Sequence, residues 1–212
     1  DKLLAFNPDL VAAEFGAANG AWGEKGRCVT DPATEGYVRR LRLLRPKADL
    51  LLNLGIFTSM MKDYRENREP QTVAFIKRLA EHYDFLVTDS GEAIAKRIVA
   101  GEPWKAFMKD GIHPNAGGYD VHGKVIEDAL DHQWKLYQSL PENQRRVAKH
   151  PFPDGTITPS PWLWPRLEPA WFADKLDGFT RGESGRVKFI EGKPGATGHF
   201  KPGRGRVVGI LH

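Results

Sequence analysis

The chain has 212 residues, of which 41% are hydrophobic and 27% charged, so it can hold one domain with a sizeable core, or one domain and a small second one. Its net charge of +4 comes from interspersed acidic and basic residues, which indicates a solvated surface rather than a nucleic-acid site. Cys28 is the single cysteine, which excludes an intrachain disulfide and a cysteine-based zinc site. No signal peptide, transmembrane run or lipidation motif is visible, and we expect no membrane and no nucleic acid as partner.

Three short apolar runs are typical of buried strands. They are Asp9–Phe15, Asp49–Leu54 and Asp84–Thr88. Pro8 precedes the first run, and Gly55 closes the second. Because apolar residues extend along the whole of each run, we expect a parallel sheet that helices cover on both faces.

Between and after these runs, apolar residues recur at helical spacing and predict four helices. The predicted helices are Thr34–Leu44, Gln71–Tyr83, Ser90–Val99 and Asn115–Leu140. The side chains of Ser90 and Asn115 are the expected N-caps of the last two.

The first of these helices carries a basic cluster. Its members are Arg39, Arg40, Arg42 and Arg45. A helix side that faces solvent is the simplest interpretation of the cluster, and a site for an acidic partner is the alternative.

Alternating strands and helices predict an α/β fold over residues 1–140, a three-layer α/β/α domain around a parallel sheet. In such sheets, ligands bind beyond the carboxyl ends of the strands. Residues 141–170 are rich in proline and tryptophan, which indicates a linker or a segment that wraps along the first domain. Residues 171–212 are typical of the start of a β-rich accessory domain, with candidate strands at Arg186–Ile190 and Arg206–Leu211.

The most informative stretch runs from Asp110 to Tyr119 and reads Asp-Gly-Ile-His-Pro-Asn-Ala-Gly-Gly-Tyr. Asp110 and His113 lie three residues apart in a turn that precedes the last predicted helix. A histidine can take and return a proton near neutral pH, and an aspartate can orient its ring and stabilise the imidazolium. We interpret the two residues as an acid/base pair, and a surface turn without catalytic role is the alternative.

The Asp-x-x-His-Pro-Asn-x-x-Gly-Tyr pattern resembles the last conserved block of the SGNH, or GDSL-type, hydrolases. The segment Asp9 to Gly20 is similar to the block in which an asparagine supplies an oxyanion-hole donor, with Gly16-Ala17-Ala18-Asn19-Gly20 in place of the usual Gly-x-Asn-Asp. The resemblance covers residues 1–140 and implies a flavodoxin-like α/β/α fold. It also implies that Asp110 and His113 complete a triad with a serine, and that Asn19 donates to the oxyanion; a loop asparagine that bonds local backbone groups is the alternative for Asn19.

Two blocks of that family are absent from this chain: the Gly-Asp-Ser turn with the nucleophile, and the glycine that follows it. Ser59, Ser90 and Ser184 are poor substitutes, because they fall in a loop, at a helix cap and in a Gly-rich turn. We expect the missing residues upstream of Asp1, in the same polypeptide or in a companion chain that completes the sheet. The 212-residue chain alone is then incomplete at its N-terminus and inactive, and a secreted or periplasmic location is preferred.

The resemblance implies ester hydrolysis by a Ser-His-Asp mechanism, without cofactor or metal. The implied substrate is an acylated carbohydrate, in particular an O-acetylated one, or another small ester. A non-catalytic carbohydrate- or protein-binding module on the same scaffold is the alternative, and a metal-dependent phosphoesterase is disfavoured because clustered carboxylate ligands are lacking. Trp22 and Trp104 flank the candidate loops, where they line an acyl or sugar site or pack in the core.

Overall fold

The structure, a computed structural model, describes residues 6–15, 23–145, 149–159, 161, 175–184 and 187–199. The chain forms two compact units, Asp1–Leu163 and Trp164–His212. In the part of the chain that the structure describes, none of the helices is long and apolar enough to cross a membrane. The first unit contains Asp110 and His113, and its architecture sets their positions.

The first unit alternates strands and helices. Its elements are β1 (Leu10–Phe15), α1 (Gly23–Leu44), β2 (Asp49–Leu54), α2 (Met61–Arg65), α3 (Gln71–Tyr83), β3 (Leu86–Asp89), α4 (Ser90–Val99) and α5 (Ala116–Ser139). Single turns of 3-10 helix lie at Thr58–Met60, Trp104–Ala106 and Glu142–Gln144. All three predicted strands and all four predicted helices are present, which confirms the α/β class.

The three strands form one parallel sheet in the order β1-β2-β3. Alternate side chains of the central strand β2 point to opposite faces, and one face belongs to the main apolar core. On that face β2 contributes Leu50, Leu52 and Leu54, while α1 and α3 contribute Val38, Leu41, Val73, Ile76 and Leu79. The continuous apolar sequence of β2 reflects its burial, as expected for the centre of a parallel sheet.

Helix α1 begins at Gly23, so the predicted start at Thr34 was wrong. Pro32 lies inside the helix, where it cannot donate a backbone hydrogen bond. The first half of the helix is supported by the ion pair of Arg27 and Asp31, four residues apart, with Nη2 and Oδ2 separated by 2.9 Å. This pair spans the turn that directly precedes Pro32.

Asp89, rather than Ser90, is the N-cap of α4. Its Oδ1 accepts from the Glu92 N–H at 2.8 Å. Ser90 is fully buried instead, and its hydroxyl donates to Asn53 Oδ1 at 2.6 Å. Serine and aspartate are both good N-caps, so the sequence alone did not separate them. The prediction of Ser90 was wrong because its hydroxyl bonds to Asn53 of the sheet, and the neighbouring Asp89 caps the helix.

The basic cluster of α1 does not simply face solvent. Arg42 is only 2% exposed, and its guanidinium donates to the carbonyls of Ala48, Tyr83 and Asp84 at 2.7, 3.0 and 2.5 Å. These carbonyls precede β2 and β3, so Arg42 ties α1 to the amino ends of both strands. The solvent-facing interpretation was therefore wrong for Arg42. Buried carbonyl groups need hydrogen-bond donors, and the Arg42 guanidinium supplies them both at the end of α3 and before β2.

Residues 149–159, which we call the strap, pack on the first unit after α5. Glu35 of α1 is fully buried, and its Oε1 accepts from the Tyr83 hydroxyl at 2.6 Å and from the Ile157 N–H at 2.7 Å. Its Oε2 accepts from the N–H and the hydroxyl of Thr158 at 2.6 and 2.5 Å. Burial by itself would raise the pKa of Glu35, but these hydrogen bonds outweigh burial and hold the pKa below its usual value. A buried, ionised carboxylate therefore fastens the strap.

Further contacts of Arg39 and His150 hold the strap. The Arg39 guanidinium lies over the Phe152 ring, 4.4 Å from its centroid. His150 lies between two carboxylates, with Nε2 2.9 Å from Asp49 Oδ1 and Nδ1 3.1 Å from Asp84 Oδ2. Asp49 opens β2 and Asp84 precedes β3, so the strap begins at the amino ends of these strands.

The described residues of the second unit form an antiparallel pair, β4 (Lys175–Ser184) and β5 (Val187–His199). The pairing shifts beside Gly178, since Asp177 lies opposite Thr197 whereas Phe179 lies opposite Gly192. Gly178 has a φ of 73°, which favours glycine. The predicted strand at Arg186–Ile190 overlaps the start of β5, whereas the one at Arg206–Leu211 lies outside the described residues. β4 was missed because its glycines and charged residues interrupt the apolar pattern.

Candidate active site

The turn that holds Asp110 and His113 is a small closed loop between α4 and α5. Met108 and Pro114 face each other in an isolated antiparallel bridge at its two ends. Inside that bridge, the Lys109 N–H donates to the His113 carbonyl at 2.8 Å. The ends of the loop are thereby pinned together, and the side chains between them are brought within reach of each other.

Asp110 holds His113 through both carboxylate oxygens. Oδ2 lies 2.8 Å from His113 Nδ1, and Oδ1 accepts from the backbone N–H groups of His113 and Ile112, both at 2.8 Å. The bonds from His113 and Ile112 hold the pKa of Asp110 well below its usual range, so this carboxylate is charged at neutral pH. A charged carboxylate accepts but does not donate, so His113 Nδ1 carries the proton and Nε2 is the basic nitrogen of the neutral ring.

The turn lies at the carboxyl end of the sheet and opens to solvent. Thr58, in the segment that follows β2, donates its N–H and its hydroxyl to the Gly111 carbonyl, both at 3.1 Å. The Trp104 indole N–H donates to the Asp110 carbonyl at 2.7 Å, so Trp104 supports the backbone of the turn. The side chains of His113 and Asp110 are 70% and 51% exposed, which leaves His113 accessible to a reacting group.

Helix α5 starts directly against the turn. A Cβ built on Gly118 would lie 2.2 Å from the Phe107 carbonyl oxygen, so only glycine permits this approach. Asn115 caps the helix, as predicted: its Oδ1 accepts from the Gly118 N–H at 3.1 Å, and its Nδ2 donates to the Lys105 carbonyl at 2.8 Å. These contacts join the first turn of α5 to the backbone next to the Asp110–His113 turn.

Replacing Gly118 by Ala should lower the free energy of unfolding by about 1–3 kcal/mol, because the atom that the new methyl group meets belongs to the backbone and cannot rotate away. The matched control is Gly123→Ala on the same helix. A Cβ there meets no other atom within 4 Å, so the better helix former should stabilise by up to about 1 kcal/mol. Urea unfolding measures both. Equal stability of the Gly118→Ala and wild-type proteins would show that the helix start shifts without cost.

A buried polar network links α5 to the sheet beneath the turn. Asn53 of β2 accepts at Oδ1 from the hydroxyls of Thr88 and Ser90, at 2.9 and 2.6 Å. Its Nδ2 is therefore the end that faces His122 Nδ1, at 3.1 Å. Burial lowers the pKa of His122, against a raising effect of Glu14, so the ring is neutral and Nδ1 accepts. The sequence does not reveal this network, because its members lie on four separate elements.

The remaining candidates from the sequence have different outcomes. Asn19 and Trp22 lie outside the described residues, so their roles stay predictions. Ser59 is exposed in the 3-10 turn that follows β2. Ser90 is unsuited as a nucleophile, because it is fully buried and bonded to Asn53. Among the described residues, no serine hydroxyl bonds to the His113 ring.

A match to a known protein family establishes where this chain belongs. The model of the GDSL-like lipase/acylhydrolase family matches residues 1–121, which is more than half of the chain. The chain belongs to the GDSL-like lipase/acylhydrolase family. The match includes all three strands of the parallel sheet and the turn with Asp110 and His113, so the resemblance that the turn motif indicated is confirmed.

Two solved structures share the fold of this GDSL-family chain. One is a two-domain esterase (CEX) active on acetylated mannans, co-crystallised with mannopentaose; it is 21% identical with a TM-score of 0.59, over 87% of this chain and 44% of that chain. The other is also a two-domain esterase (CEX) active on acetylated mannans, 22% identical with a TM-score of 0.51, over 88% and 45%. This GDSL-family chain thus spans less than half the length of the esterase chains it matches. No curated protein sequence matches it significantly.

Proposed function

We propose that this protein hydrolyses esters by a Ser-His-Asp mechanism, with His113 as the base and Asp110 as the residue that orients it. The hydrogen bond of 2.8 Å between Asp110 Oδ2 and His113 Nδ1 carries the proposal. It leaves a basic nitrogen exposed at the carboxyl end of a parallel sheet, where such folds bind their ligands. Membership of an acylhydrolase family supports acyl transfer as the reaction.

In the proposed mechanism, a serine hydroxyl attacks the ester carbonyl while His113 Nε2 takes the hydroxyl proton. The imidazolium returns that proton to the departing alcohol, and an acyl-serine remains. Water then attacks the acyl-serine with His113 again as base, which releases the acid and restores the serine. Asp110 stays charged and stabilises the imidazolium. Asn19 donates an amide N–H to the developing oxyanion, a contact whose loss typically costs about 3 kcal/mol.

The serine comes, in this proposal, from a segment that pairs with the open edge of β1. Among the described strands, β1 pairs with β2 alone. On the sheet face that Asn53 shares, the β1 side chains Leu10, Ala12 and Glu14 are exposed. Parallel sheets are normally covered on both faces, and an unpaired edge attracts another strand. The surface beside β1 therefore suits an added strand.

The connections of the sheet indicate where the helix of that segment belongs. Right-handed crossovers through α1 and α3 place both helices on one face, whereas His122 of α5 lies over Asn53 on the other. Suppose that the added strand lies beside β1 and that the chain then crosses over to a further strand, on the side away from β2. A right-handed crossover in that direction places its helix on the face of the sheet where α5 lies. The strand order then reverses next to β1, and ligand sites of open parallel sheets lie at such reversals.

Helix α5 offers a matching apolar surface. Of its residues only Gly118 and His122 are buried. Trp134 and Tyr137 are 58% and 40% exposed, and their rings stack with centroids 5.5 Å apart. Exposed apolar surface of this kind marks a contact site. We assign it to the strand and helix of polypeptide upstream of Asp1 that carry the Gly-Asp-Ser turn, with a separate companion chain as the alternative.

For the substrate we propose an O-acetylated carbohydrate. The support is the fold shared with two esterases described as active on acetylated mannans. Because one fold serves many substrates, this support is an analogy. The exposure of His113 is compatible with a polymeric substrate, since the base is reached from the surface.

Hydrolysis of p-nitrophenyl acetate tests the proposal. The 212-residue chain alone should show no turnover that depends on His113, whereas the protein extended by its upstream coding region, or mixed with a companion chain, should. His113→Ala is the control in each case. Turnover by the 212-residue chain that His113→Ala abolishes would contradict the proposed upstream origin of the serine. It would place the nucleophile within the chain, and Ser59→Ala would be the next variant. An extended protein that binds acetylated mannan without cleaving it would indicate a binding module instead.

A further inference from the structure

His122 is a buried histidine that the proposed reaction does not use. Its ring lies one helical turn beyond Gly118 on α5, is 7% exposed, and accepts at Nδ1 from Asn53 Nδ2. The ring proton is therefore on Nε2, which is buried without a hydrogen-bond partner among the described residues. An unpaired buried donor opposes folding. Packing alone does not account for a histidine here, because an apolar side chain would fill the space without that donor.

Asn53 connects His122 to the backbone that supports the catalytic turn. Asn53 lies near the end of β2, a few residues before Thr58, whose N–H and hydroxyl both hold the Gly111 carbonyl. The Asn53 oxygen accepts from Ser90 at the first position of α4. The amide of Asn53 therefore fixes the end of β2 relative to the start of α4.

The backbone that follows β2 also packs closely against the start of α4. A Cβ built on Gly91 would lie 2.6 Å from the Gly55 carbonyl oxygen, so α4 already touches the backbone that follows β2. On the α5 side, a Cβ built on Gly118 would lie still closer to backbone, 2.2 Å from the Phe107 carbonyl oxygen. The bond between Asn53 and His122 joins the end of β2 to α5 directly, and it adds to the two bonds that Thr58 makes with Gly111 of the turn.

We propose that His122 is a positioning residue: by accepting from Asn53, it sets the first turn of α5 against the end of β2 and so holds the Asp110–His113 pair in its reactive geometry. The effect of this positioning on ester turnover rests on the proposed hydrolase function. Its effect on the hydrogen bond between Asp110 and His113 does not. A displacement of about 1 Å can cost a reaction about 100-fold, so a modest shift of α5 is enough to matter.

Proton NMR of the 212-residue protein tests the geometry directly. The Nδ1 proton of His113, bonded to Asp110, should resonate far downfield of the backbone amides, and its position reports that hydrogen bond. His122→Leu removes the acceptor for Asn53, and we expect the resonance to move upfield or broaden while Tm changes little. His122→Asn places an amide oxygen near the position of Nδ1 and should restore the resonance. His132→Leu, at an exposed position of the same helix, is the control and should change neither.

In the complete, active protein, His122→Leu should lower kcat about 100-fold with little change in KM, and His122→Asn should recover most of that loss. An unchanged His113 resonance in the His122→Leu protein would overturn the proposal. So would a large fall in Tm that accompanies the change and that His122→Asn does not reverse, because it would show a structural role only. The resonance reports on positioning even if no ester is hydrolysed, so failure of the proposed function and failure of this inference are distinguishable.

Discussion

Replacing Asp110 by Asn should lower kcat of the complete, active protein about 10⁴-fold. The Asn oxygen can still accept from the backbone N–H groups of Ile112 and His113, so the turn should keep its shape. The amide NH₂ group, however, takes the place of Oδ2 opposite His113 Nδ1. Two donors cannot face each other, so the ring proton moves to Nε2, and the nitrogen that must accept the serine proton is already protonated.

Steady-state kinetics and thermal unfolding measure this result together. Because the Asp110 side chain is 51% exposed, Tm should stay within a few degrees of the wild-type value. Asp120→Asn, an exposed aspartate on α5, is the matched control and should leave both quantities unchanged. A loss of less than tenfold in Asp110→Asn would mean that the orientation of His113 does not limit the reaction.

Replacing Glu35 by Gln should lower the free energy of unfolding by about 3 kcal/mol at pH 7. Each Glu35 oxygen accepts two hydrogen bonds, from Tyr83 and Ile157 at Oε1 and from Thr158 at Oε2. A glutamine turns one of these acceptors into a donor that faces a backbone N–H. That N–H then stays buried without a partner, and the strap loses one of its fastenings.

The effect of Glu35→Gln should depend on pH with a definite sign. The pKa of Glu35 in the folded protein lies below its ordinary value of 4.5, so its stabilisation is fully present above that value. It is lost as the pH falls through the folded-state pKa. The difference between wild-type and variant proteins should therefore shrink below about pH 4, as urea unfolding at several pH values would show. Glu81→Gln, exposed on α3, is the control, and a difference that grows in acid would contradict the assignment.

The parallel sheet and the Asp110–His113 turn could be predicted because their information is local. Continuous apolar runs mark β2 and its neighbours, and the three-residue spacing of Asp110 and His113 allows one closed turn to hold both. The same holds for Asn115, whose side chain caps the helix that begins next to it. Each strand, the Asp110–His113 turn and the Asn115 cap depends on residues that are close together in the sequence.

Features that depend on distant residues were missed or misinterpreted. Arg42 looked like surface charge because the carbonyls that it binds belong to the end of α3 and the start of β2. Ser90 looked like a cap because its partner Asn53 is on another strand. Nothing in the sequence near Glu35 indicates that Thr158, more than a hundred residues away, donates to it.

The exposed apolar residues of α5 bear on how the chain behaves when handled alone. Trp134 and Tyr137 expose apolar surface, and among the described strands β1 pairs on one side only. The upstream segment proposed above would cover both. In a concentrated solution of the 212-residue chain, the nearest substitute is another molecule of the same kind. Self-association through edge pairing and apolar contact is then expected, and solubility should improve when the proposed upstream segment is added.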